Sequence, residues 1–171
     1  MNTWDALRSR RNVRQFTDDP IALADLDLIL EAGRRSPSGR NRQWWDFVVC
    51  TDRQQLSDLA GVWQGAGHIA GAALAVAVIV EHIDDQRTRE VMQYDLGQLT
   101  MSMMVVAADL GIGSAHAAVR DQELARNILG YPDDRVCAWL IGFGYPADRP
   151  LAPITNLNRR PFDDVVHRDH W

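Results

Sequence analysis

Between Glu90 and Leu110 the chain reads EVMQYDLGQLTMSMMVVAADL. Val91, Met92, Leu96, Leu99, Met101, Met103, Met104, Val105, Val106 and Leu110 recur at helical spacing, but on more than one side of the helix. A helix that apolar belongs at the centre of a domain or at a subunit interface. Its methionines read as packing material, since an unbranched thioether fills irregular gaps. Gly111 is a suitable residue to stop it.

Working outward, shorter elements surround this helix. Residues 3–11 form a short helix ending in basic residues, and residues 21–34 form an amphipathic one carrying Leu23, Leu26, Ile29 and Leu30. Asp18, Asp19 and Pro20 supply residues suited to its start. WWDFVVC, ALAVAVIV and VCAWLIGFGY read as strands, the second buried on both faces. Further helices run from Asp52 to about Trp63 and from Asp121 to Leu129, the latter stopped by Gly130. The expected fold is α+β: a mixed sheet of four to five strands, flanked by helices around the hydrophobic central one. The 171 residues suffice for one domain, 1–171, whose stretch 147–171 has few apolar anchors and needs something to lie on.

Composition narrows the function. Apolar residues make up 46% of the chain, which argues for a packed core, and a net charge of −5 argues against a general nucleic-acid binder. Cys50 and Cys137 lie in apolar runs and read as small buried hydrophobes. MNTWDALRSRR lacks the apolar core of a signal peptide, and the run from Ile69 to Val80 is about half the roughly 20 residues that span a bilayer. The expectation is a soluble cytoplasmic protein without a membrane span.

The chemistry-bearing residues are mostly basic. Arg8, Arg10, Arg11 and Arg14 cluster near the start, Arg34, Arg35, Arg40 and Arg42 around a loop, and Arg159 and Arg160 near the end. Planar guanidinium forks suit phosphate, and clusters remote in sequence matter if they meet in space. The loop SPSGRNRQWW (Ser36–Trp45) adds Pro37, Ser38 and Gly39 to turn the chain, with Asn41 and Gln43 to read the edge of a heterocycle. In LGIGS, Gly113 has no role as a helix stop and suits close backbone approach to a ligand. His68, His82, His116, His167 and His170 are scattered without metal-ligand spacing, and Ser36, Ser38 and Ser114 lack a nucleophile-elbow context. A binding loop without a proton-transfer set suggests that a bound cofactor performs the reaction.

Five segments in order resemble the nitroreductase family of flavin enzymes: RSRRNVRQF, GRRSPSGRNRQWWDFVV, DLGQLTMSMMVVAADLGIGS, WLIGFGYPADRP and RRPFDDVVH. The resemblance implies a homodimer with FMN at the subunit interface, 147–171 wrapping the partner, and NADH or NADPH as electron donor. Hydride would pass through flavin N5 to an electron-poor small molecule such as a nitroaromatic or quinone. It implies cofactor roles for Arg10, Arg11, Asn12, Arg14, Pro37, Ser38, Gly39, Asn41, Gln43, Ile112, Gly113, Ser114, Arg159 and Arg160, with the Gly113 backbone near N5 and no catalytic side chain. Asn12 stands where the family usually has serine, Arg40 where the residue is often small, and Trp44 where it has proline. The alternatives are a flavin or deazaflavin carrier without turnover, and flavin-assisted dehydrogenation without a nicotinamide donor.

Overall fold

The computed structural model describes residues 1–156 and 158–171. The chain runs α1 (Thr3–Ser9), α2 (Leu23–Arg34), β1 (Trp45–Cys50), α3 (Arg53–Leu59), β2 (Leu74–Glu81), α4 (Gln86–Asp109), β3 (Gly113–Ala118), α5 (Gln122–Leu129) and β4 (Arg135–Gly144). Short 3-10 turns occupy Gly39–Asn41, Ala60–Val62, Gln64–Gly71 and Phe162–Asp164.

Seven consecutive residues of β2, Leu74 to Val80, are buried, so this strand needs cover on both faces. Val76, Val78 and Val80 point to one face with Ile141 and Phe143 of β4, under Leu26 and Ile29 of α2 and Met92, Leu96, Leu99 and Met103 of α4. Ala75, Ala77 and Ile79 point to the other, with Leu140, under Leu56 and Leu59 of α3, Ile69 and Ala125 of α5. Side chains alternate along a strand, so one apolar run feeds two cores. The sheet order is β1-β2-β4-β3. All three pairings are antiparallel, with a bulge in the β2–β4 register between Val78 and Ile79. Among the described residues the parallel component of the expected mixed sheet reduces to one isolated bridge, Asn12 to Ser114. Cover from helices on both faces, rather than parallel pairing, makes β2 continuously apolar.

α4 is the expected central helix with an extra turn at its start, where the Asp85 carboxylate accepts from Thr88 N at 2.8 Å. Met92, Leu96, Leu99, Met103 and Ala107 face the core, whereas Val91, Tyr94 and Met101 stand exposed on the other side, as do Trp4 and Leu7 of α1. The apolar surplus in the sequence therefore divides between the core and a bare face.

Four local expectations change. α1 stops at Ser9, because Arg10 already has extended φ and ψ. α2 starts from Ala22 without a side-chain cap; Asp19 instead accepts from Thr17 Oγ1. GSAHAA forms strand β3, which alanines and a histidine disguised in the sequence. Finally, the 147–171 stretch divides in two. Pro146 bridges Phe16, Ala147 N donates to Gln15 O, and Ile154 N donates to Arg8 O, tying its beginning to the N-terminal segment. Phe162, Val165, Val166 and Trp171 beyond are exposed.

Cys50 and Cys137 are free and buried, and burial pushes their thiols up to about 11 and about 12. They are inert apolar fillers at neutral pH. Among the described residues no helix is long and apolar enough to cross a membrane.

Candidate functional site

The chain leaving α1 passes directly beside the start of β3. Val13 N donates to Ser114 O at 3.0 Å, and Val13 is buried. A Cβ on Gly113 would lie 2.7 Å from Val13 Cβ, closer than any side chain tolerates, so this approach requires glycine. Gly111, at φ +77°, makes the left-handed turn that delivers the chain from α4 into β3. The Gly113 backbone thus sits within the suggested site, but the group against its open side is Val13. Ile112, also expected at a cofactor, is fully buried in the core.

This crossing gathers cations from distant parts of the chain. Arg10 is partly buried, donates to Asn12 Oδ1 at 3.1 Å and lies near Met104 Sδ of α4. Burial first, and then the positive charge of Arg159, hold the Arg10 guanidinium below its usual value. His116 on β3 keeps an exposed edge, and partial desolvation of its ring first, then Arg10, Arg14 and His68, hold it below its usual value. His68 is buried; burial lowers it most, its hydrogen bond to the Ala115 carbonyl opposes this, and Arg14 lowers it further. His68 Nε2 lies 3.1 Å from that carbonyl, while buried Nδ1 has no hydrogen-bond partner. Among the described residues no carboxylate pairs with Arg10, Arg14, His68, His116 or Arg159. The ring of His116 meets Trp139 edge-on at 5.5 Å. Arg10, His116, Trp139 and Met104 line a cavity of about 250 Å³ against α4.

Two other expected cations are engaged within the chain. Arg11 donates to Asp148 Oδ1 at 2.7 Å and to the Arg149 carbonyl at 2.9 Å, so it secures the stretch after β4. Arg160 donates to the Asp164 carbonyl, and Arg159 in the cluster donates to the Asn158 carbonyl at 2.7 Å.

The loop before β1 is a second, separate group. Arg40 and Asn41 have φ 56° and Gln43 has φ 49°, three non-glycine residues in left-handed conformation within four positions. Such backbone costs on the order of 1 kcal/mol or more per residue and persists only where neighbours enforce it. Asp95 is the enforcer. It is 3% exposed in α4, and its Oδ2 accepts from Gly39 N at 2.8 Å and from Trp44 Nε1 at 2.7 Å, clamping both ends of the loop. Ser38 Oγ accepts from Gln43 N at 2.9 Å across the turn. The Arg42 guanidinium lies 4.8 Å from the Trp44 ring centre. Trp44, where the resemblance has proline, is therefore part of the loop's foundation.

Along α4, Asp95 and Met104 are nine residues apart, about 14 Å at 1.5 Å per residue. The fold thus joins Arg10, Arg14, Arg159 and the Ser114 edge in one place. It leaves Pro37, Ser38, Gly39, Asn41 and Gln43 in another. Asp95, His68 and His116 escaped the sequence reading. Asp95 carried a signal: it lies three residues after Met92 and four before Leu99, a lone carboxylate on the stripe destined for the core. The histidines carried none, since only β3 brings them beside the arginines.

An α+β sheet between two helical layers, a cation cluster at the start of β3 and a clamped polar loop define the class. The family model of the Nitroreductase family matches residues 7–66 and 60–145, and the chain belongs to that family. An Archaeoglobus fulgidus relative, provisionally named NADH dehydrogenase/NAD(P)H nitroreductase, is 28% identical over 167 residues, covering 95% of each chain. The solved structure of an FMN-dependent nitroreductase from Clostridium difficile superposes with a TM-score of 0.82 at 22% identity, covering 97% of this chain and 98% of that one. The NADPH:FMN oxidoreductase of Vibrio harveyi, solved with NAD+, superposes at 0.86 with 20% identity, covering 100% of this chain and 78% of the other.

Proposed function

We propose that this protein is an FMN-dependent oxidoreductase that takes electrons from NADH or NADPH and delivers them to a small electron-poor molecule, such as a nitroaromatic or a quinone. The observation that carries the reading is the cation cluster of Arg10, Arg14 and Arg159, assembled from both ends of the chain with no paired carboxylate among the described residues. Arg10 is partly buried while Arg14 and Arg159 are exposed, and bringing like charges against a partly buried cation is unfavourable unless an anion completes the group. A phosphate bearing about −1.5 to −2 charge fits that requirement. The names of the relatives point to which phosphorylated molecule it is.

FMN, when bound, supplies the two-electron carriage that no side chain here provides. Arg10 and Arg159 would grip its phosphate. Arg14, beside His68, would stabilise negative charge developing on the ring, as fixed donors do where water is excluded. Ser38, Gly39, Asn41 and Gln43 would line ring and ribityl chain, and the Gly113–Ser114 backbone would flank the reactive edge. Since the loop and the cluster occupy different stretches of α4, we propose that two copies meet along the exposed α1–α4 face. Each loop would then complete its partner's site, and the stretch from Phe162 to Trp171 would lie on the partner.

The test is the visible spectrum of the protein as purified, followed by anaerobic mixing with NADH or NADPH. Flavin absorbance that bleaches on mixing supports the oxidoreductase; absorbance that persists supports a flavin carrier. Arg14→Ala should lose flavin, and a fully yellow, active Arg14→Ala protein would contradict the assignment.

A further inference from the structure

On the outer side of the strained loop lies a hollow of about 330 Å³, lined by Gly39, Arg40, Arg42, Trp44, Arg87 and Val91. Three arginines line it, and among the described residues no acidic one does. Among the described residues none of the three side chains makes an ion pair or an intramolecular hydrogen bond. Asp85 caps α4 through Thr88 N, and its carboxyl is held below the usual range first by that hydrogen bonding and then by the charges of Arg87 and Arg89. The arrangement is built. Arg40 is presented by backbone at φ 56°. Arg42 rests on the Trp44 indole, whose N–H is held by the buried Asp95 carboxylate. Arg87 projects from the first turn of α4, two turns before that same Asp95. One buried carboxylate thus anchors the loop that carries two of the three cations.

We infer that this hollow binds a phosphomonoester, and that it selects NADPH over NADH by taking the 2′-phosphate. The NADPH assignment rests on the oxidoreductase reading above. Three planar forks offer more donors than a carboxylate accepts, and a phosphomonoester presents three oxygens with nearly two charges. The 2′-phosphate of NADPH is a phosphomonoester of this kind, and NADH lacks it.

The experiment has two arms. In the first, the purified full chain is titrated calorimetrically with adenosine 2′,5′-bisphosphate, adenosine 5′-monophosphate and inorganic phosphate. The bisphosphate should bind at least about tenfold tighter than either other ligand at low salt, about 1.4 kcal/mol. Arg87→Ala and Arg40→Ala should each erase most of that difference. In the second, kcat/KM is compared for NADPH and NADH; Arg87→Ala should lower the NADPH value about tenfold and leave the flavin absorbance and the NADH value in place. Equal binding of the two nucleotides, equal binding of inorganic phosphate, or an unchanged NADPH preference in Arg87→Ala overturns the inference. A chain that binds the bisphosphate through Arg87 yet carries no flavin keeps the hollow and removes the oxidoreductase reading. A flavin enzyme indifferent to the 2′-phosphate does the reverse.

Discussion

His116 shows how one residue reports on the whole cation cluster. Its ordinary value is 6.5, and partial desolvation, Arg10, Arg14 and His68 all depress it; His68 is displaced in the same direction. Below about pH 6.5 the unfolded chain binds protons that the folded, ligand-free chain refuses. Stability therefore rises with pH across that window and falls as pH drops through it. The melting temperature of flavin-free protein should decline between about pH 7.5 and about pH 5.5. Added phosphate should reduce the decline by supplying the missing negative charge, and His116→Asn should flatten it. A ligand-free melting temperature independent of pH over that range would refute the cluster's electrostatics. Residue-scale roles of this kind were the least visible in the sequence, where the histidines lie 48 positions apart and each read as surface or core.

Two elements depend on single contacts. α4 holds the loop through Asp95, and Asp95→Ala would strand the Gly39 N–H and the Trp44 indole N–H. At about 1.5–3 kcal/mol per hydrogen bond to a charged group, the variant should lose about 2–4 kcal/mol in urea denaturation, some of it recovered as the strained loop relaxes. Asp95→Asn keeps an oxygen for both donors and should recover most of the stability. The other element is β3. Gly113→Ala forces a methyl against Val13 and should cost about 1–3 kcal/mol, as overpacking does. Val13→Ala in the same chain should make the glycine substitution cheaper, a coupling that a double-mutant cycle measures. Both elements were half legible. The apolar period announced α4, but its capping turn, and a strand built largely of alanine, depended on neighbours that a local pattern does not encode.

At the scale of the molecule, the exposed face of Trp4, Leu7, Val91, Tyr94 and Met101 is the feature that most needs a partner. Tyr94 is 72% exposed near the middle of α4. Light scattering should find twice the chain's mass, as a stable interface of about 800 Å² per subunit would give. Tyr94→Lys places a charge at the centre of that face, where anchoring aromatic residues carry about 2 kcal/mol or more. It should shift the protein to monomers and release flavin, while the monomer retains its helix and strand content by circular dichroism. Flavin retained at full occupancy by a stable monomer would show that one copy suffices.

What the sequence determined alone was what repeats or is locally necessary: the apolar period of α4, the strands β1, β2 and β4, the turn residues of the loop and the order of family segments. These follow from side-chain spacing and backbone allowance, which neighbours in the chain already express. Tertiary structure decided the rest: the all-antiparallel order of the sheet, the division of α4 between core and open face, and the meeting of Arg10, Arg14, His68, His116 and Arg159. It also decided that Asp95 clamps the loop and that Arg11 binds Asp148 instead of standing free. Charges act through space, and their partners here lie from about 50 to about 150 positions away, so no local pattern could have named them.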